Sequence, residues 1–280
     1  MTVVRSPLIG GKAGWTRNLG RRLTRRFRAL DGGSYQRRWT DVLVAVAGLA
    51  VVAFSGVLVA NRLVLAADAA LFRGIDHWPG WLYPPMWTIQ LPGVIGALPL
   101  AAAAAALLRR LRLAAALTAA TLLKVSLEDV AKIFVQRNRP AETLPDVILR
   151  GQSAAHGLSF PSGHAMVIFA IAALVAPYFK SRRQVLPWAL AAAVCLSRLY
   201  LGAHFPLDVA AGAGLGMLIG GMLNLVFGVP SARSRVPVDR APGQVFGEAD
   251  TGGADGAGGD GKDERAGHQV VRQRRMAAED

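Results

Sequence analysis

Three short polar clusters interrupt an otherwise apolar chain: Lys132 to Arg139-Pro140, then Pro161-Ser162-Gly163-His164, then Ser197-Arg198 to His204 and Asp208. Together they supply cations, two histidines and a carboxylate, which is what a site needs to grip a phosphate and attack it. A phosphate monoester carries close to two negative charges. Lys132, Arg139 and Arg198 can match them, and arginine can do so bidentately. Arg137 is a further candidate contact. Pro161-Ser162-Gly163-His164 reads as the start of a helix, since proline suits the first turn. The free N–H groups there form an anion site. Gly163 allows close backbone approach, and Ser162 adds a hydroxyl.

His204 and Asp208 are four residues apart, so on a helix they share a face. A carboxylate on one ring nitrogen fixes the tautomer and frees the other nitrogen to attack. This makes His204 the expected nucleophile through a phosphohistidine. His164 is then the general acid, and the base that activates water in the second step. Ser197 either contacts phosphate or bonds back within its own helix.

The elements that carry these clusters are hydrophobic. The 280-residue chain is 52% hydrophobic, with 31 glycines and few aromatics, and its mean hydropathy is +0.34. That composition points to an integral membrane protein with closely packed helices. Six apolar stretches, 41–65, 87–108, 113–135, 161–179, 185–201 and 205–229, each come close to the roughly 20 residues that cross a bilayer. In lipid they must be helices. The expected fold is therefore all-α: a six-transmembrane-helix bundle over 40–229, with a basic N-terminal segment at 1–39 and a disordered polar tail at 230–280. Within the basic segment, 15–30 reads either as an amphipathic helix on the membrane surface or as a plain topology-setting tail. The Trp- and Pro-rich stretch 66–86 reads as an interfacial loop. The Gly- and Asp-rich tail has too little apolar surface to fold alone.

Basic residues mark one set of flanks: the N-terminal segment, Arg109, Arg110 and Arg112, and Lys180, Arg182 and Arg183. The positive-inside rule puts these in the cytoplasm. Both termini then lie inside, and all three polar clusters meet at the extracytoplasmic face of the plasma membrane. The net charge of +14 is explained by topology and does not require nucleic acid. The single cysteine, Cys195, excludes a disulfide framework and a cysteine metal site. No cofactor is expected. The partners expected are the bilayer and a lipid phosphate. Nothing here sets an oligomeric state.

The three clusters resemble the tripartite signature of the type 2 phosphatidic acid phosphatase family, K-x6-R-P, P-S-G-H and S-R-x5-H-x3-D, at every position. The resemblance implies a six-helix membrane core and a metal-independent phosphatase. It assigns phosphate binding to Lys132, Arg139, Ser162, Gly163 and Arg198, acid catalysis to His164, attack to His204 and its support to Asp208. The expected substrate is a polyprenyl pyrophosphate, phosphatidic acid or phosphatidylglycerol phosphate. A phosphoryl transferase using the same site, and a lipid transporter, are the competing functions. A soluble vanadium haloperoxidase can share the residue set, but six spans argue against it. Lys124, Glu128 and Asp129 lie in the third stretch without an assigned role, although Lys124 and Glu128 can pair one turn apart. Arg150 and His156 are either headgroup contacts or solvated loop residues.

Overall fold

The computed structural model describes residues 34–62 and 64–231. The stretch 15–30 and nearly all of the polar tail fall outside these. Among the described residues nine α-helices run in order: α1 (Trp39–Ala60), α2 (Leu65–Asp76), α3 (Tyr83–Ile89), α4 (Ala97–Leu107), α5 (Leu111–Phe134), α6 (Pro140–Thr143), α7 (Gly163–Val175), α8 (Val185–Tyr200) and α9 (Pro206–Phe227). Two strands of two residues, β1 (Tyr35–Gln36) and β2 (Val229–Pro230), pair antiparallel. The described residues are mostly helical, in keeping with the all-α expectation.

Two helices, α1 and α9, are long and apolar enough by themselves to cross a membrane, each with 22 residues. At 1.5 Å per residue each measures about 33 Å. The 24-residue α5 is longer but carries Arg112, Lys124, Glu128, Asp129 and Lys132 along its length. All six apolar stretches contain helix.

One of them and one connecting stretch depart from expectation. The stretch 87–108 is broken: α3 ends at Ile89, a 3-10 turn covers Leu91–Gly93, and α4 begins only at Ala97. Pro92 lacks the N–H that a continuous helix would use. Irregular backbone at membrane depth survives where it lines a cavity, and Gln90, Leu91, Gly93, Val94 and Ile95 line the cavity described below. The stretch 66–86, read as a loop, is largely helix α2. That helix buries Asp68, Phe72 and Asp76 on one face. Phe72 packs edge-on against Phe205, with ring centroids 5.4 Å apart.

Helix α9 is the central element, with α1 and α7 against it. It is rich in small residues, which let helix backbones approach closely where lipid provides no hydrophobic drive for association. A Cβ on Gly212 would stand 2.2 Å from the Ser162 carbonyl oxygen, and one on Gly214 would stand 2.7 Å from that of Gly48. At one end of the bundle Asn224 ties three helices. Its amide donates to Asp41 Oδ1 at 3.0 Å and to the Ala173 carbonyl at 2.9 Å. Arg38 completes the Asp41 site at 2.8 Å. The β1–β2 pair lies at this end, where Arg112 stacks over Tyr35 at 4.2 Å. The opposite end gathers the last turn of α5, the first turns of α7 and α9, and the last turn of α8. Those four ends carry the three polar clusters.

Gly212→Ala is expected to destabilise the protein by about 1–3 kcal/mol, because the methyl meets backbone that cannot move aside. Gly56→Ala, whose methyl meets nothing nearer than Phe160 Cζ at 4.0 Å, serves as control. Thermal unfolding in detergent checks this. Equal midpoints for the two variants would contradict the packing described.

Candidate active site

Each functional side chain is placed by a helix end or a turn beside one. Lys132 sits in the last turn of α5. Ser162 is the N-cap of α7, so Gly163 and His164 occupy its first turn. Arg198 is in the last turn of α8, and Asp208 is the third residue of α9. A cavity of about 570 Å³ is lined by Lys132, Arg139, Gly163, His164, Arg198 and His204. Lys124, Glu128, Gln90, Gln152 and Ser153 also line it. One wall is apolar, made by Trp87, Leu91, Val94 and Ile95, all of which are exposed.

The cations keep donors available. Arg139 donates to the carbonyls of His156 at 3.1 Å and Ala203 at 3.0 Å. Burial lowers its pKa, an effect the charges of Asp208, Glu128 and Glu142 oppose. Arg198 donates from Nη1 to the Gln90 side chain, while its buried Nε has no hydrogen-bond partner. The Ser162 hydroxyl, completely buried, also has none. An unsatisfied buried polar atom costs about 1–3 kcal/mol. Arg198 lines the cavity, so an oxyanion there fits as the missing partner of its Nε, whereas Ser162 is not among the lining residues, although Pro161 and Gly163 on either side of it are. Gly93 packs against His164: a Cβ on Gly93 would stand 3.1 Å from two of the histidine's side-chain atoms. The broken backbone at 90–96 therefore packs directly against that ring.

His204 differs from the sequence reading. It lies in the turn before α9, not on a helix with Asp208. Its Nδ1 is 2.9 Å from the Ser159 carbonyl and 4.0 Å from Asp208 Oδ2. A carbonyl can only accept, so Nδ1 carries the proton and Nε2 keeps its lone pair. Burial, aided by the Arg198 and Arg139 charges, holds the His204 pKa well below the ordinary histidine value. The ring is thus neutral at neutral pH. Asp208 has other partners. It accepts the Phe205 N–H at 2.9 Å, capping α9, and Arg137 Nη1 at 2.9 Å. It acts on His204 by fixing the turn that carries it.

Four candidate contacts are committed elsewhere. Arg137 is buried between Asp208 and Asp68, 2.5 Å from the latter, with its guanidinium 4.1 Å over the Phe205 ring. Arg150 binds Asp76 at 3.1 Å and the Asp76 carbonyl at 2.6 Å, and stacks on Tyr200 at 4.1 Å. His156 is exposed and faces Glu142 at 3.2 Å. Ser197 bonds back to the Val194 carbonyl at 2.6 Å. None of the four lines the cavity. Asp129 is exposed on the other side of α5. Sequence reasoning missed Gln90 and Ser159. A lone glutamine in an apolar stretch was a usable signal for Gln90. Ser159 acts through its backbone, which no side-chain pattern reveals.

The fold and this arrangement are those of a membrane-embedded phosphatase class, and the comparisons agree. The PAP2 superfamily model matches residues 95–229. The chain is 32% identical over 177 residues to the decaprenylphosphoryl-5-phosphoribose phosphatase of Mycobacterium tuberculosis, covering 63% of this chain and 88% of that one. It is 42% identical over 83 residues to the bacitracin transport permease protein BcrC of Bacillus licheniformis, 29% of this chain and 38% of that one. The crystal structure of Aquifex aeolicus LpxE superposes with a TM-score of 0.51 at 29% identity, covering 55% of this chain and 92% of that one. The chain belongs to the PAP2 superfamily.

Arg137→Met leaves two buried carboxylates unpaired, a change that costs about 3–5 kcal/mol. A clear fall in the thermal midpoint is expected, together with a loss of kcat. A raised KM at unchanged stability would instead make Arg137 a substrate contact.

Proposed function

We propose that this chain is a multi-pass plasma-membrane enzyme that hydrolyses a lipid phosphate or pyrophosphate at the extracytoplasmic face, through a phosphohistidine on His204. The observation that carries the reading is the convergence of Lys132, Arg139, Gly163, His164, Arg198 and His204 on one cavity. In this reading His204 Nε2 attacks phosphorus as the bond to the leaving oxygen breaks, and His164 delivers a proton to that oxygen. His164 then takes a proton from water. The water oxygen attacks phosphorus, the P–N bond breaks, and inorganic phosphate leaves. Lys132, Arg139, Arg198, the Ser162 hydroxyl and the first N–H groups of α7 stabilise the charge on the transferring group.

Six membrane passes over 40–229 are supported by helix in all six apolar stretches. The cluster-bearing ends lie opposite the basic ones, namely Arg38, Arg112 and the Lys180–Arg183 turn. The positive-inside rule then orients the site outward. The β1–β2 pair joins the two ends of the described chain at the basic end, in keeping with both termini inside. On this reading 1–39 and 230–280 are cytoplasmic flanks. The apolar wall of the cavity suits an acyl or prenyl chain, as does the similarity to an enzyme acting on a decaprenyl-linked sugar phosphate.

The test is phosphate release by purified full-length protein from phosphatidic acid, phosphatidylglycerol phosphate and a polyprenyl pyrophosphate. His204→Ala is expected to lower the rate at least about 10³-fold. It should also abolish an acid-labile phosphoryl label on the protein. Full activity in that variant would sink the mechanism.

A further inference from the structure

Three charged residues follow one another at one-turn intervals along the cavity face of α5: Lys124, Glu128 and Lys132. Glu128 Oε1 accepts from Lys132 Nζ at 2.8 Å, and Oε2 pairs with Lys124. The same two oxygens would stand 3.1 and 3.2 Å from a Cβ on Gly163. The Glu128 carboxylate therefore lies against the first residue of α7, whose opening N–H groups have no partner within the helix. It is largely shielded, its side chain being 13% exposed. A built-in anion thus stands among the groups assigned to the substrate phosphate.

Two anions cannot hold one lysine side by side in a shielded site without strong repulsion. A phosphate that takes Lys132 must displace Glu128 from it. Lys124, buried and one turn deeper, already holds the other carboxylate oxygen. The displaced carboxylate can therefore stay paired while Lys132 turns to phosphate. A side chain at position 163 would press on the Glu128 carboxylate and move it by a few tenths of an ångström.

We propose that Glu128 competes with phosphate for Lys132, with Lys124 as the partner that retains the carboxylate when it is displaced. The pair sets the affinity of the site for phosphate, product as well as substrate, and so favours release of inorganic phosphate after each turnover. This rests on the phosphatase reading above.

Inorganic phosphate is the probe, measured as a competitive inhibitor of lipid phosphate hydrolysis by the full-length chain. Glu128→Gln removes the competing charge and is expected to lower the inhibition constant about tenfold, the equivalent of one charge-assisted hydrogen bond. Lys124→Gln leaves Glu128 with Lys132 alone and is expected to raise it several-fold. An unchanged or raised constant in folded Glu128→Gln would overturn the proposal and make Glu128 a residue that positions Lys132. If Glu128→Gln does not fold, Lys124→Gln decides, and an unchanged or lowered constant refutes the competition. Should the wild-type chain release no phosphate from any lipid, the phosphatase reading fails separately. Calorimetric titration of phosphate into the same variants then tests the competition by itself.

Discussion

The site depends on the way one buried residue joins three distant segments. The Asp208 carboxylate is completely shielded from solvent, where an unpaired charge would be prohibitive. It is held by Arg137 from the first cluster and by the Phe205 N–H of its own turn. Its backbone carbonyl accepts the Ser162 N–H at 2.9 Å, from the second cluster. One residue of the third cluster thus fixes the other two. Removing any partner leaves a charge or a helix end unsatisfied, and so disturbs all three clusters together. The placement of His204 follows: the turn it occupies is closed by the Phe205–Asp208 bond, and its ring is aimed by the Ser159 carbonyl.

That joint requires α7 and α9 to meet at backbone contact, and the glycine at 212 is what permits it. The Ser162 carbonyl lies where a Cβ would be. In a membrane, where helices gain little by hiding apolar surface from lipid, close backbone approach supplies the attraction. The catalytic geometry and the helix packing are therefore one constraint. The glycines of α9 position the amide-rich start of α7 as directly as any side chain in the cavity does.

What could be read from the sequence follows from this division. Lys132, Arg139, His164, Arg198 and His204 were legible because charged and imidazole side chains stand out in an apolar chain, at the ends of its hydrophobic runs. All five line one cavity. The helix start at Gly163 was legible from Pro161-Ser162. The tautomer-setting partner of His204 was not, because it is a carbonyl, identical in every residue. Helix α2 was read as part of a loop because of the Trp and Pro residues that follow it, and nothing local shows that Asp68 and Asp76 are buried. Their partners, Arg137 and Arg150, are 69 and 74 residues away. The break at 90–96 was hidden by an unbroken run of hydropathy, although Pro92 and Gly93 marked it.

The arginines show why residue type alone could not separate structure from function. Arg137 and Arg139 are two residues apart, yet the first is neutralised by two carboxylates. Arg150 likewise spends its charge on Asp76. Arg139 and Arg198 are held by neutral acceptors instead: two carbonyls for the one and the Gln90 amide for the other. A neutral acceptor orients a guanidinium without cancelling its charge. The cavity consequently retains the net positive field that an incoming phosphate requires, while the charges that brace the fold are internally balanced. In this chain the partner of an arginine, more than its place in a motif, distinguishes a cation available to an anion from one that is already spent. Lys132 alone is intermediate, oriented by a carboxylate that is itself shared with Lys124, and its availability is set by how readily that carboxylate lets go.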